Sequence, residues 1–335
     1  MRFGLQLTAP YDRNTPVRVQ IDEHRRLVVM AEELGFDLIG AGQHFLSPSL
    51  RYVQPIPYLT HLHTFAPSMR VATGILLLPL LHPVEVAENM ATLDGLTDGK
   101  AIMGAGIGYA DLEFQAFAVD RKTRTKRFEE AIELIRAIWK GDEVHHHGTY
   151  WNFDAPPNGL LPVQPGGPPV WLAGQTEVAV RRAARIGDAW WVPPFVTHDE
   201  LASLRKVYLE EREAHGRPPE TEFPVRRELF IAPSRAEAVG QIGAQVQKRA
   251  ETYVSWGMRE NADVGGDFSR ADEDSMASRF VLGPPDACAE ALAGLADIGM
   301  TTFILKPQWP GLPPEESFRQ LERFGTEVIP LLAGH

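Results

Sequence analysis

Cysteine is almost absent from this sequence of 335 residues, where Cys288 is the single example. One cysteine excludes an intramolecular disulfide, and this fits a reducing compartment better than a secreted disulfide scaffold. Cys288 lies within an apolar helical pattern near the end of the chain. We therefore expect its thiol to be buried and inert.

Positive charge is also scarce, since 33 basic residues face 44 acidic ones and give a net charge of −11. The charges are spread along the chain, which argues against a nucleic-acid partner or an anionic membrane surface. No apolar run approaches the length needed to span a membrane, and Arg2 to Leu7 resembles a strand rather than a signal peptide. We expect a soluble, cytoplasmic protein.

Several motifs that identify a particular type of catalytic or metal site are missing. The sequence has no P-loop with its lysine and hydroxyl, no serine elbow and no zinc signature. His145 to His147 are adjacent, so their side chains point in different directions, and no cysteine or acid falls at ligand spacing. We interpret them as a solvated turn and predict no metal site.

What the sequence does contain is a complete strand, helix, strand unit from Val71 to Tyr109. Val71 to Leu78 is a near-continuous apolar run, typical of a parallel strand covered on both faces. Val84 to Leu96 has helical apolar spacing, and a second short strand then ends in Gly104 to Gly108. Glycines there allow the backbone to approach a ligand, although a tight exit turn explains them equally well.

Eight strand-like runs alternate with helical patterns along the chain, which is the arithmetic of a (β/α)8 TIM barrel within the α/β class. A doubly wound open sheet is the alternative, but it needs glycines opening a helix after the first strand, where Thr8-Ala9-Pro10 stands instead. We predict one domain over residues 1–335, with insertion loops at the carboxyl face of the barrel. The predicted strands are Phe3 to Leu7, Asp37 to Ala41, Val71 to Leu78, Ala101 to Ala105, Val170 to Ala173, Ala189 to Val192, Val225 to Ala232 and Thr301 to Leu305.

Helical patterns fill the intervals, and Gly35, Gly187 and Gly299 are predicted to follow helix ends. Long connections remain, of which residues 256–278 are polar and acidic, so we expect a mobile insertion that covers the barrel mouth. The predicted helices are Val17 to Leu34, Tyr58 to Phe65, Val84 to Leu96, Arg124 to Trp139, Val178 to Ile186, Glu200 to His215, Arg235 to Tyr253, Asp286 to Ile298 and Glu315 to Ile329.

Two places could carry chemistry in such a barrel. His44 follows the second strand, where side chains point into the site, and a histidine can act as acid, base or donor near neutral pH. A structural loop histidine is the alternative. Gly174-Gln175-Thr176 lies between a strand and a helix, where free amides and the positive helix end favour phosphate. An ordinary helix N-cap is the alternative there.

With these residues named, the chain resembles the bacterial luciferase-like flavin oxidoreductases, a family that includes luciferase, alkanesulfonate monooxygenase and deazaflavin (F420) dependent reductases. The resemblance covers essentially the whole chain. Its motifs are Asp37 to His44, Thr73 to Pro79, His82-Pro83, Ala87-Glu88, Leu93-Asp94, Gly99 to Gly108, Arg124 to Trp139, Pro168 to Gly174, Arg182 to Ala184, Gly187-Asp188 and Leu282 to Pro284.

The resemblance implies a barrel with a flavin in its mouth, over a non-proline cis peptide that would fall at Gly74-Ile75. His44 would lie beside the reactive face of the flavin. Two departures stand out: Gln43 replaces a residue that is often acidic, and Ile107 replaces an arginine of luciferase, as in F420 reductases. The implied cofactor-binding residues are Gly74, Ile75, Gly106 and Ile107 at the ring or ribityl chain, and Gly174, Gln175, Thr176 and Arg124 at the phosphate.

The function that the resemblance implies is a flavin-dependent monooxygenase, which uses reduced FMN and dioxygen to oxidise a small organic substrate. A separate flavin reductase would be its partner, and we expect a homo-oligomer. An F420-dependent oxidoreductase that transfers hydride without oxygen is the first alternative, and a non-catalytic flavin-binding protein is the second. Trp191, Phe195, Tyr150 and Trp309 are expected at the mouth and suggest an apolar or aromatic substrate.

Overall fold

The computed structural model describes residues 1–7, 11, 14–47, 50–218, 222–257 and 270–333. Its strands are mostly short and buried, as expected for strands covered on both faces. They are β1 Arg2–Leu7, β2 Leu38–Ala41, β3 Arg70–Thr73, β4 Leu76–Leu77, β5 Ala101–Gly106, β6 Val144–His147, β7 Asn152–Ala155, β8 Val170–Ala173, β9 Ala189–Trp191, β10 Pro224–Ile231, β11 Val281–Gly283 and β12 Thr302–Lys306.

Eight of these strands close into a ring. Parallel pairing runs in the order β10, β12, β1, β2, β3, β5, β8, β9, and a parallel bridge between Val192 and Val225 joins β9 back to β10. The first half of β10 pairs with β12 and its second half with β11, which leaves β11 as an addition beside the ring. The predicted (β/α)8 barrel is confirmed, with all eight predicted strands in place.

Helices cover the outside of the barrel. Predicted boundaries differ from the observed ones by a few residues, except that the last helix ends at Arg323 and continues as a π-helical turn, Phe324–Val328. The helices are α1 Val17–Glu33, α2 Pro55–His63, α3 Pro83–Leu96, α4 Asp111–Ala116, α5 Arg124–Trp139, α6 Glu177–Ile186, α7 His198–Ala214, α8 Arg235–Ser255, α9 Glu273–Ala277, α10 Pro285–Asp297 and α11 Pro314–Arg323.

The main hydrophobic core lies between the barrel and its helices, and a smaller cluster fills the barrel itself. Trp171 and Trp191 meet edge to face in that inner cluster, with ring centroids 5.6 Å apart. Cys288 is buried and unpaired, as predicted, and burial raises the pKa of its thiol to about 12. Among the described helices, none is both long and apolar enough to cross a membrane.

The predicted strand Val71 to Leu78 is interrupted. A cis peptide bond joins Gly74 to Ile75, as the resemblance implied, and separates β3 from β4. Both pieces pair with β5, since Val71 is opposite Ala101 and Leu76 is opposite Ala105. The break therefore leaves the barrel wall closed while it turns the Gly74-Ile75 backbone toward the barrel mouth.

Two local predictions need correction. His145 to His147 are not a turn but strand β6, which pairs with β7 in a hairpin where Nδ1 of His145 lies 2.8 Å from Oδ1 of Asp154. Gly35 and Gly299 have the positive φ of a residue after a helix end, whereas Gly187 has φ of −91° and is itself the extended C-cap of α6. The expected lid over residues 256–278 stays a prediction, because its residues 258–269 lie outside the described part of the chain.

Candidate active site

The carboxyl end of the barrel opens into a cavity with an empty volume of about 1090 Å³, mouth included. Its walls come from residues at strand exits and from α8, which reaches over the mouth with Tyr253. Catalytic residues of TIM barrels lie at this face, which makes the cavity the candidate active site.

His44 lies in the cavity wall, after β2, and is held by a buried carboxylate. Its Nδ1 lies 3.0 Å from Oε1 of Glu113, and the Phe45 amide donates to the same oxygen over 2.8 Å. The Glu113 side chain is only 2% exposed. An ionised carboxylate can only accept, so Nδ1 carries the proton and Nε2 is left to face the cavity.

Aromatic side chains surround the His44 ring. The ring centroids of Tyr52, Trp256 and Tyr109 lie 4.7, 4.9 and 5.6 Å away, and the Tyr109 hydroxyl is 3.4 Å from Nε2. Burial, and next the neighbouring Tyr253, raise the pKa of both Tyr52 and Tyr109 well above the usual value. Both phenols therefore stay neutral at physiological pH and can donate or accept hydrogen bonds.

The contacts of Gln43 explain why an amide stands at a position that is often acidic in the family. Its Oε1 accepts from the Leu77 amide over 2.9 Å, and its Nε2 donates to Oε1 of Gln54 over 2.8 Å. A carboxylate at this position could accept from Leu77 but could not donate to Gln54. The amide thus ties the backbone after the cis peptide to the start of α2.

Tight packing fixes the cis peptide against the cavity. Gly74 and Ile75 both line the cavity, and a Cβ on Gly74 would lie 2.9 Å from the Trp191 ring. A Cβ on Gly106 would lie 2.1 Å from Cδ1 of Ile75, so a larger residue there would displace the end of the Ile75 side chain. The half-buried Ile107 packs against the main core.

The predicted phosphate residues surround the start of α6. Thr176 is its N-cap, with Oγ1 accepting from the Ala179 amide over 3.3 Å, and Gln175 lines the cavity. A Cβ on Gly174 would lie 2.6 Å from Cβ of Ala179, so glycine permits the close turn. Arg124 opens α5, and its Nη1 donates to the carbonyl of Gly108 over 3.2 Å.

Of the residues predicted for the site, His44, Gly74, Ile75 and Gln175 line the cavity together. The described residues that line the cavity do not include the other five predicted ones, which are Gly106, Ile107, Gly174, Thr176 and Arg124. The pKa of Arg124 is lowered, first by burial and then by the positive charge of Arg121. The Arg124 guanidinium is therefore only partly hydrated. Trp191 and Phe195 reach the cavity as expected.

Tyr150 and Trp309 were wrongly placed at the mouth. Tyr150 packs against the guanidinium of Arg127, which lies 5.1 Å from its ring centroid. Trp309 is buried and donates to the carbonyl of Leu229 over 3.0 Å. Both side chains therefore pack outside the cavity. A sequence pattern does not distinguish an aromatic side chain that packs in the protein from one that lines a ligand cavity.

A flavin-type ring fits the residues present. Gln6 lines the cavity, with Nε2 within 3.3 Å of the Leu7 carbonyl and 3.4 Å of the Gly74 carbonyl. Its Oε1 is buried and has no hydrogen-bond partner in the described part of the chain. An unsatisfied buried acceptor is rare, and rotation of this cavity-lining amide toward a ring N–H would satisfy it.

A buried ionic cluster around Glu228 forms the cavity wall at β10 and β12, and it was not predicted from the sequence. Glu228 Oε1 lies 2.8 Å from Nη1 of Arg249 and 3.1 Å from Nη2 of Arg226, and Oε2 lies 3.2 Å from Nζ of Lys306. Arg226 and Lys306 also line the cavity. Three consecutive charged residues, Arg226 to Glu228, inside a buried strand were the available signal.

Other charged groups lie outside the cavity. Arg227, fully buried, faces away from it and donates to the Val196 carbonyl over 3.1 Å, so it secures the loop that contributes Phe195 to the cavity wall. Burial lowers the pKa of Arg227 to about 9. Within the described ranges, His, Cys, Asp and Glu side chains form no group of three that could hold a metal ion.

Comparison with known proteins agrees with this geometry. The oxygenase component of the flavin-dependent trigonelline monooxygenase of Acinetobacter baylyi is 23% identical over 98% of this chain and 95% of its own length. The F420-dependent glucose-6-phosphate dehydrogenase of Kineococcus radiotolerans is 28% identical over 91% of each chain. The monooxygenase RslO1 of Streptomyces bottropensis superposes with a TM-score of 0.85 at 26% identity, covering 99% of this chain and 100% of its own.

Two of these relatives differ in cofactor: the trigonelline monooxygenase is flavin-dependent and the glucose-6-phosphate dehydrogenase is F420-dependent. The sequence profile of the luciferase-like monooxygenases matches residues 1–302 of the chain. The cis peptide at Gly74-Ile75 and His44 in the barrel mouth stand where the resemblance expects them. This protein belongs to the luciferase-like monooxygenase family.

Proposed function

We propose that this protein is the oxygenase of a two-component system, which uses reduced FMN and dioxygen to oxidise a small organic substrate. One oxygen atom enters the substrate and the other leaves as water, with two electrons supplied by the reduced flavin. The observation that carries the proposal is the His44 and Glu113 pair, which faces an enclosed aromatic cavity beside the cis peptide. Full-length similarity to a flavin-dependent oxygenase component supports the choice of cofactor.

The residues of this chain have separate tasks in the proposed reaction. Gly74 and Ile75 would support the ring, and Gln6 Oε1 would accept a hydrogen bond from it. Gln175 and Thr176, with Arg124, would hold the phosphate at the start of α6, where the helix dipole favours an anion. Bound FMN supplies the electrons and the oxygen-activating chemistry.

His44 would hold or move a proton at Nε2, since Glu113 fixes the proton on Nδ1. The Tyr109 hydroxyl, 3.4 Å from Nε2, is positioned to relay or orient that proton. Tyr52, Phe195 and Tyr253 line the same cavity and would exclude water from the reacting atoms. The arrangement suits proton transfer in a dry pocket.

An F420-dependent oxidoreductase is the second candidate. One observation favours it: position 107 is Ile107, packed against the core, where luciferase has an arginine at the phosphate. The similarity to an F420-dependent dehydrogenase over 91% of the chain points the same way. A non-catalytic flavin-binding protein is disfavoured because His44 and its buried carboxylate are both present.

Rapid mixing of the purified protein with each reduced cofactor tests the proposal. Reduced FMN, mixed with oxygenated buffer, should reoxidise through a transient absorbing species that free FMN does not show. Reduced F420 should bind weakly and its spectrum should not change with oxygen. Tight binding of F420 together with unaltered oxidation of FMN would replace the proposal by the second candidate.

We also propose a partner protein, a domain organisation and an oligomeric state. The relative that is named as an oxygenase component implies a flavin reductase as partner. We propose that residues 1–335 form one domain, because the barrel draws its strands from residues 2 to 306. A homo-oligomer in the cytoplasm remains the expected state, which the mass of the native protein in solution would test.

A further inference from the structure

The cavity has two ends of different character. The Gly74-Ile75 bulge follows the third barrel strand, whereas Arg226 belongs to the seventh and Lys306 to the eighth. The third and seventh strands stand opposite each other in an eight-stranded ring. A ring held at the bulge therefore leaves Arg226 and Lys306 on the far side, where a second molecule would enter.

Positive charge dominates that far side. Arg226 and Lys306 are the Lys and Arg side chains of the described cavity wall, and no described Asp or Glu lines it. Behind them, Arg249 adds a third cation, while Glu228 supplies the single carboxylate that contacts all three. The described cluster thus contains more positive than negative groups.

This excess is costly unless a ligand offsets it. A buried ion pair gains little over apolar packing, and an uncompensated buried charge is strongly unfavourable. The cost is visible at Lys306, whose pKa is lowered to about 7 by burial and then by Arg249, despite contact with Glu228. The Trp309 ring, whose centroid lies 5.1 Å from Lys306 Nζ and 5.3 Å from Arg249, offsets part of this cost, and a bound anion would offset more of it.

Arg226 can bind more than its carboxylate partner. Its Nη2 contacts Glu228, and Arg226 lines the cavity with a guanidinium that has five N–H donors in all. Donors that face the cavity can bind an acceptor that the protein does not supply. Carboxylate, sulfonate and phosphate oxygens are the acceptors that a guanidinium and an ammonium share.

We propose that the substrate is an organic acid, whose oxyanion binds Arg226 and Lys306 while its apolar or aromatic body lies against Tyr52, Phe195 and Tyr253. The proposal deepens the proposed function, on which it rests. It adds a charged group to the expected apolar or aromatic substrate. The body fits the aromatic wall, and the charged group fixes which end faces away from the bulge.

Binding of matched probes tests the assignment. Benzoate and benzenesulfonate carry the oxyanion, benzamide is a neutral mimic of benzoate, and Trp191 in the cavity wall reports binding by its fluorescence. In the purified protein loaded with oxidised FMN, benzoate should bind at least about tenfold more tightly than benzamide, as hydrogen bonds to charged groups allow. Lys306→Met and Arg226→Gln should each remove that preference and leave benzamide binding unchanged.

Controls separate the outcomes. Lys206→Met removes a lysine that is 79% exposed and should alter neither probe. Inorganic sulfate stabilises folded proteins in general, so it should raise the melting temperature of both proteins, and by more for the native protein than for Lys306→Met. Equal affinities for benzoate and benzamide, or no response to any of the anions, would refute the proposal.

Two further results have distinct meanings. If benzoate binds only without FMN and FMN displaces it, the cluster holds the cofactor phosphate and the substrate assignment is wrong. If the anion preference holds but neither reduced FMN nor reduced F420 supports turnover, the subsite stands and the proposed oxygenase function fails.

Discussion

His44 and Glu113 are 69 positions apart in the sequence, yet their side chains meet over 3.0 Å. His44 was predicted because it follows a barrel strand, and the structure places it in the cavity wall. Glu113 was not predicted, since it lies in a segment that was interpreted as a long connection but folds into helix α4. An isolated acid in a loop carries no signal of the partner it will meet.

Replacing His44 should strongly reduce turnover without unfolding the protein. His44→Ala removes the group that we assign to proton transfer, so kcat/KM should fall by about two orders of magnitude or more. Its melting temperature should change little, because most of the core lies between barrel and helices. His147→Ala, at a side chain 63% exposed in the hairpin, is the control and should be fully active. Near-native activity of His44→Ala would remove His44 from the mechanism.

Glu113 should act through His44, as a positioning residue. Glu113→Gln keeps the shape but cannot hold the Nδ1 proton as a carboxylate does, so we expect kcat to fall about 10- to 100-fold with a small change in KM. Glu113→Asp should recover part of the loss. The His44→Ala, Glu113→Gln double variant should be no slower than His44→Ala alone. Additive losses would show that Glu113 serves only to stabilise the local fold.

At the scale of elements, helix α6 is the part of the barrel that we expect to hold the phosphate. Thr176 caps its first turn and Gln175 reaches the cavity. Helix α7 begins in the same way, with Thr197 capping the amide of Glu200 over 3.2 Å. Two threonine caps on neighbouring helices thus offer a matched comparison of phosphate binding against helix stability.

Thr176→Ala should weaken FMN binding about tenfold and leave riboflavin binding nearly unchanged, because riboflavin has no phosphate. Thr197→Ala should cost a similar amount of stability, about 1 kcal/mol for a lost cap, without affecting either ligand. Fluorescence titration of both ligands with both variants measures this. Equal weakening of FMN and riboflavin in Thr176→Ala would place the phosphate elsewhere.

At the scale of the whole molecule, the buried cluster around Glu228 ties stability to pH. Burial alone would raise the pKa of Glu228, but Arg249, Lys306 and Arg226 outweigh it and lower the pKa to about 2. The folded state therefore gains stability from Glu228 above its ordinary pKa of 4.5 and loses it as pH falls toward 2. The three cations clamp β10 to β12 and to α8 across the mouth through this one carboxylate.

Lys306 makes stability rise with pH as well, but over a more alkaline range. Its pKa is about 7 in the folded protein, lowered from 10.5 by burial and Arg249, so the folded state binds fewer protons than the unfolded state between these values. Stability should then rise with pH from 7 toward 10.5, relative to Lys306→Met. Between pH 7.5 and 9.5 the difference should approach about 2–3 kcal/mol in urea unfolding. Parallel pH profiles for the two proteins would contradict this.

The fold could be predicted from local patterns in the sequence. The alternation of apolar runs with helical spacing depends on local periodicity, and only one closed architecture accommodates eight such units. It also located the residues near strand exits, His44 and Gly174 to Thr176, because the barrel places every strand exit at the same face. The position of the cis peptide came from the family resemblance and agrees with the structure at Gly74-Ile75.

Which side chains complete the site depends on contacts between distant segments. Glu113 reaches His44, Tyr109 and Gln6 reach the cavity, and Tyr150 and Trp309 do not line it. The strand Pro224–Ile231 alternates between faces, so Arg226 and Glu228 point one way and Arg227 the other. Which face meets the cavity depends on how the strand is tilted within the closed ring, and this is set by contacts between strands far apart in the sequence.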